Sequence, residues 1–132
     1  MSEAFPPFPS SRPRRLRSNP LLRELVRETE LSPRDFILPL FVKPGTGLRA
    51  EIASMPGNFQ LSVDTLVDEV GACRELGITS FILFGIPATK DARGSSALED
   101  LGIVQESLRA LRKAHGTNVL LLTDECFCEY TE

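Results

Sequence analysis

Three apolar runs of strand length, Phe36–Val42, Ser80–Ile86 and Asn118–Thr123, alternate with two stretches whose apolar residues recur at three and four. This alternation constrains the fold more than any other feature of the chain. A continuous apolar run bounded by Gly or Pro suits a strand buried on both faces. In the first intervening stretch Val63, Leu66, Val67, Val70 and Cys73 share one helical face behind Ser62, and Gly77 stands where a left-handed cap belongs. In the second, Ile103, Val104, Leu108, Leu111 and His115 do the same. Arg112, Lys113 and His115 occupy its last turn, where cations suit the helix dipole, before Gly116 ends it. Strand, helix, strand, helix, strand with compact connections predicts an α/β fold with right-handed crossovers and a parallel sheet, either open and doubly wound or closed as a barrel. In both architectures chemistry gathers at the carboxyl ends of the strands. Lys43, the Gly85-Ile86-Pro87 turn, and Asp124 with Cys126 and Cys128 all fall at that end.

Residues 1–34 have a different character and are expected to form an extended basic arm with a short helix, ahead of a body at 35–132. Phe5-Pro6-Pro7-Phe8-Pro9 and Arg12-Pro13-Arg14-Arg15-Leu16-Arg17 are too rich in proline to enter a helix or sheet interior, which leaves Phe5 and Phe8 to seek a partner surface or to fray. Ser18 is positioned to cap a helix with Leu21, Leu22, Leu25 and Val26 on one face and Pro20 in its first turn, closed by Ser32-Pro33. The arm holds seven arginines against four acids, and the body eight bases against fourteen acids. That asymmetry favours docking of the arm on another copy of the chain over nucleic-acid binding, because the arm has apolar anchors and no lysine run. Residues 45–61 are loop-like, with short extended pieces around Ile52 and Phe59. Pro39 lacks a donor, so the first strand needs a bulge or an exposed edge there.

At 132 residues with 42% hydrophobic side chains, the chain can bury one ordinary core. The longest apolar run is far short of the roughly 20 residues of a membrane span, and Met1–Ser11 lacks the pattern of a signal peptide. The expected compartment is therefore the cytoplasm. There, an odd count of three cysteines points to thiolate ligands, packed thiols or a redox centre rather than a structural disulfide. Cys126 and Cys128 stand two apart, so on an extended backbone both thiols reach the same side, where they suit one soft cation. Two ligands alone are not a site, and the pair by itself leaves metal binding, packing and redox chemistry open. Asp124 shares that face if the chain stays extended and is placed to orient or deprotonate a substrate, or else to satisfy loop amides. Cys73 lies on a helical apolar stripe and reads as a core thiol. His115 reads as a helix-end residue, and Lys43, followed by Pro44 and Gly45, as a structural lysine in a solvated turn rather than a Schiff-base amine. Gly45-Thr46-Gly47 lacks the third glycine and the following helix of a phosphate cradle.

Six blocks resemble, in this order, the amino-terminal part of the porphobilinogen synthase (delta-aminolevulinic acid dehydratase) family. They are Arg12 to Arg17, Ile37 to Val42, Ser54-Met55-Pro56-Gly57, Leu83-Phe84-Gly85-Ile86-Pro87, Lys90-Asp91 with Gly94-Ser95, and Thr123-Asp124 through Cys126, Cys128, Glu129, Tyr130 and Thr131. The resemblance covers nearly everything from about residue 12 onward. It implies a (β/α)₈ TIM barrel, of which this chain holds the amino-terminal arm and the first three β/α units, an incomplete barrel truncated after the third strand. It further implies a homo-octamer in which the arm embraces a neighbour, and a lyase that condenses two molecules of 5-aminolevulinate to porphobilinogen with loss of two waters, in tetrapyrrole (heme) biosynthesis.

In zinc-dependent members the Cys-x-Cys continues into a Ser-His-Gly-His-Cys segment whose cysteine is the third ligand. Cys126 and Cys128 match the first two ligands and Asp124 the active-site aspartate, so the resemblance implies a zinc-type enzyme. Glu132 stands where a serine usually follows Tyr-Thr, and the third ligand, the two Schiff-base lysines and the substrate-binding arginines match nothing here. Lys43 matches neither lysine. The expectation is a fragment of the enzyme, inactive alone; the alternatives are a non-catalytic remnant limited to assembly or metal binding, or an open doubly wound domain with a redox pair. One-residue spacing counts against the last.

Overall fold

A computed structural model describes residues 6–12 and 14–132. Phe5, expected as an anchor of the arm, and Pro13 of its arginine run lie outside the described residues. The chain divides into a unit ending at Leu31 and a unit Ser32–Glu132.

In the first unit a single 3-10 turn at Arg15–Arg17 precedes helix α1, Pro20–Leu25. Its cap is Asn19, whose Oδ1 accepts from the Leu21 amide at 2.8 Å, while the hydroxyl of Ser18 donates back to the Arg15 carbonyl. The amide oxygen of Asn19 thus does what was expected of Ser18. The helix stops at Leu25, well short of Ser32-Pro33. Ser32 begins a separate turn, Pro33–Asp35, with a reciprocal capping box in which Asp35 accepts from the Ser32 amide. Pro33 packs beside Gly77, so this turn belongs to the second unit. The division consequently falls before Ser32, rather than after Arg34.

The second unit is built on strands β1 (Ile37–Val42), β2 (Arg49–Glu51), β3 (Phe59–Leu61), β4 (Ser80–Gly85) and β5 (Leu120–Thr123), with helices α2 (Val63–Glu75) and α3 (Ile103–His115). The sheet order is β2-β3-β1-β4-β5. The three long apolar runs are the parallel β1, β4 and β5, with Leu40 opposite Leu83 and Phe81 opposite Leu121. The loop-like stretch contributes more than expected: β2 and β3 form an antiparallel hairpin, and β3 pairs in parallel with the carboxyl end of β1. Arg49 secures the hairpin, with its guanidinium 3.9 Å from the Phe59 ring centroid and 2.6 Å from the Glu69 carboxylate on α2.

Pro39 sits inside β1 without a bulge, opposite Ile82. The Lys43 amide donates toward β3 and the Val42 carbonyl accepts from Ile86 beyond β4, so by alternation the donor that Pro39 lacks faces the β3 side. The pairing with β3 starts only at Phe41. The exposed edge that proline requires is therefore local to the lower half of β1.

Leu40, Val42, Phe81, Leu83 and Val119 face both helices and meet Leu66 and Val70 of α2 and Leu111 of α3 in one buried cluster. Both helices thus cover the same side of the sheet. The opposite side carries Ile37, Pro39, Phe41, Ile82, Phe84, Leu120 and Leu122, with Phe41 and Phe84 stacked at 5.4 Å. Ile37 and Leu120 on it are 52% and 58% exposed.

Candidate functional site

The carboxyl ends of β4 and β5 carry the residues in which the sequence placed chemistry. β5 ends at Thr123, residues 124–126 are irregular, and Phe127–Glu129 form a 3-10 turn. The turn is closed by the Tyr130 and Thr131 amides, both donating to the Phe127 carbonyl at 2.9 Å. Because the backbone leaves the extended state after Cys126, the chain folds back and Cys126 and Cys128 are joined as a disulfide. Thiolate ligands, packed thiols or a redox centre on an extended strand were expected rather than a structural disulfide; the turn, absent from that expectation, brings the sulfurs together.

The turn rests on the loop between β4 and α3. The Asp91 amide donates to the Tyr130 carbonyl at 3.2 Å, and Lys90 Nζ donates to the Cys128 carbonyl at 3.3 Å. Asp91 Oδ1 accepts from the amides of Arg93 at 2.8 Å and Ser95 at 3.1 Å, and these bonds, that of Ser95 first, hold its carboxyl below the usual range. Gly94 has φ +62°, and a Cβ there would lie 3.0 Å from the Phe127 ring. The Tyr130 side chain reaches across to Gly85 at the end of β4, and burial, then the charge of Glu129, raises its phenol pKa.

Asp124 is exposed, and with Cys126, Gln105, Leu108 and Tyr130 it lines a cleft of about 440 Å³ between α3 and the turn. Lys43 donates to Gln60 Oε1 at 3.2 Å and so binds β1 to β3. His115 lies away from the cysteines: its Nδ1 is 3.2 Å from Arg74 Nη1 and its Nε2 3.1 Å from the Val67 carbonyl, a bridge between α3 and α2. Cys73 is a free, buried thiol, its pKa pushed up by burial and then by Glu69. Lys90, Asp91, Gly94 and Ser95 entered the sequence reading only as one block of the family resemblance, and their role beneath the turn was missed. Its signal was Asp91 two and four residues before backbone donors, the pattern of a side-chain-capped turn.

Two cysteines are chemically suited to zinc. However, no group of three or more His, Cys, Asp or Glu side chains able to hold a metal occurs among the described residues, and bonded sulfurs are not ligands. The donors present do not complete a zinc site.

The family model for delta-aminolevulinic acid dehydratase matches residues 10–132. The chain belongs to this family. Delta-aminolevulinic acid dehydratase from Synechococcus elongatus is 50% identical over 124 residues, which cover 94% of this chain and 38% of that protein. The dehydratase from Bacillus subtilis is 43% identical over 132 residues, all of this chain and 39% of the other. A crystal structure of the Toxoplasma gondii dehydratase (porphobilinogen synthase), in complex with the reaction product porphobilinogen, superposes with a TM-score of 0.85 at 35% identity. It is matched over 92% of this chain and 35% of its own. The chain thus spans less than two fifths of the dehydratases it matches. The five-stranded sheet with its two helices is a piece of the dehydratase fold.

Proposed function

We propose that the chain is the amino-terminal portion of a porphobilinogen synthase, a lyase condensing two 5-aminolevulinate molecules to porphobilinogen with loss of two waters. The observation that carries the architecture is the placement of α2 and α3 on one side of β1, β4 and β5. Two successive right-handed crossovers that advance in the same direction put both helices on one face, as in a barrel, whereas a doubly wound sheet reverses and covers both. The bare apolar face around Phe41 and Phe84 then becomes barrel interior, and these are the first three of its eight units.

In this reading Asp124 positions substrate or moves a proton, and Cys126 and Cys128, once reduced, supply two soft donors for zinc, the rest of the set and the Schiff-base lysines lying in the remainder of the enzyme. The arm serves assembly into a homo-oligomer, an octamer in the resemblance: Leu21, Leu25 and Leu31 are 72%, 81% and 77% exposed, and Arg12, Arg14, Arg17, Arg23 and Arg27 line one groove of the first unit. No helix among the described residues is long and apolar enough to cross a membrane, in keeping with a cytoplasmic enzyme.

Porphobilinogen formation from 5-aminolevulinate tests the reading. The 132-residue chain alone is expected to form none, and the chain extended by the remainder of a dehydratase barrel to form product. Product from the chain alone would overturn the assignment of the covalent chemistry to other residues.

A further inference from the structure

We propose that the loop between β4 and α3 is a positioning platform for the cysteine turn, with Asp91 and Lys90 as the residues that set how closely Cys126 and Cys128 approach each other. The proposal rests on the family reading only for the purpose the pair serves; the contacts hold whatever that purpose is. Four of them converge on a turn of a few residues. Asp91 holds the Tyr130 carbonyl through its amide, Lys90 holds the Cys128 carbonyl, Gly94 leaves room for the Phe127 ring, and Gly85 for the Tyr130 phenol. The Asp91 carboxylate in turn fixes its own loop by accepting from Arg93 and Ser95. A bare Cys-x-Cys samples many separations of its sulfurs, and holding one cysteine's backbone in place raises the effective concentration of each thiol at the other. A metal ion that takes both sulfurs draws on the same preorganisation.

The effective concentration is read from the thiol–disulfide equilibrium of the full 132-residue chain in glutathione buffers. One glutathione disulfide bond breaks, the Cys126–Cys128 bond forms, and the two thiol protons leave on two glutathione molecules. Tyr130 is the only tyrosine and there is no tryptophan, so tyrosine emission reports on the platform directly. Asp91→Ala is expected to lower the equilibrium constant about fivefold or more and to change the tyrosine emission, while Asp91→Asn, which keeps an acceptor oxygen, stays within about twofold of the parent. An unchanged constant in Asp91→Ala, or an equal fall in Asp91→Asn, overturns the proposal. Should Asp91→Ala not fold, shown by loss of Cys73 protection from alkylation, Lys90→Ala decides. It removes only the contact to the Cys128 carbonyl and is expected to lower the constant about twofold, and no change sinks the platform. Zinc uptake by the reduced chain is measured separately: its absence counts against the ligand reading, and the glutathione equilibrium alone judges the platform.

Discussion

The Tyr130 phenol closes over Gly85: a Cβ built on that glycine would lie 2.6 Å from Tyr130 Oη and 2.5 Å from Val104 Cγ2. The residue that ends β4 is thereby matched to one seven residues past the end of β5, with Ile103 and Val104 at the amino end of α3 beside it.

Gly85→Ala is expected to destabilise the chain by about 1–3 kcal/mol, the usual cost of forcing a methyl group into a filled space. Val104 Cγ2 is a short branched group held by its helix, so that neighbour cannot swing clear. Chemical denaturation reads the loss. A companion Gly47→Ala, where φ is +63° but no atom lies within 4 Å, separates steric overlap from backbone strain.

Acid is expected to loosen the platform. Asp91 has its folded pKa lowered by the Ser95 and Arg93 amides, so its contribution is fully present above the ordinary value of 3.8 and is lost as the pH falls below it, through the lowered folded value. Asp64, lowered first by Ser62 and then by the Gly47 amide, follows the same sign at the base of α2. Tyrosine emission recorded from pH 6 down to about pH 2 is expected to stay flat to about pH 4 and then change. A transition centred above pH 5 would contradict the assignment.

His115→Ala is expected to cost about 1–2 kcal/mol and to leave 5-aminolevulinate chemistry in the extended enzyme intact. It removes a bridge in which Nδ1 accepts from Arg74 and Nε2–H donates to the Val67 carbonyl. Hydrogen exchange at the α2–α3 contact checks the first effect and a product assay the second. A large loss of activity with unchanged stability would reverse the structural assignment.

Much of this fold was legible in the chain because burial writes a local pattern. Continuous apolar runs marked β1, β4 and β5, the spacing of Leu66, Val70 and Cys73 marked the inner face of α2, and Cys73 is the core thiol it was read as, whereas the bridge that His115 makes from the end of α3 to α2 was not foreseen. Pro39 required a bulge or an exposed edge, and β1 supplies the edge where β3 has yet to begin. The β2–β3 hairpin was half visible as two extended pieces, but not its pairing, since three-residue strands carry too short a pattern to state a partner.

The site divides along the same line. Residue type and spacing alone placed Asp124, Cys126 and Cys128 at the carboxyl end of the third parallel strand, and the ordered blocks around them pointed to the family. Only the tertiary structure decided that the backbone turns after Cys126, that the sulfurs meet, and that Asp91, Gly94 and Gly85 hold the turn from a different connection of the sheet. Those residues lie some 30 to 45 positions away from the turn in sequence. No local propensity encodes such a contact, which exists because crossovers bring the carboxyl ends of neighbouring strands to one rim.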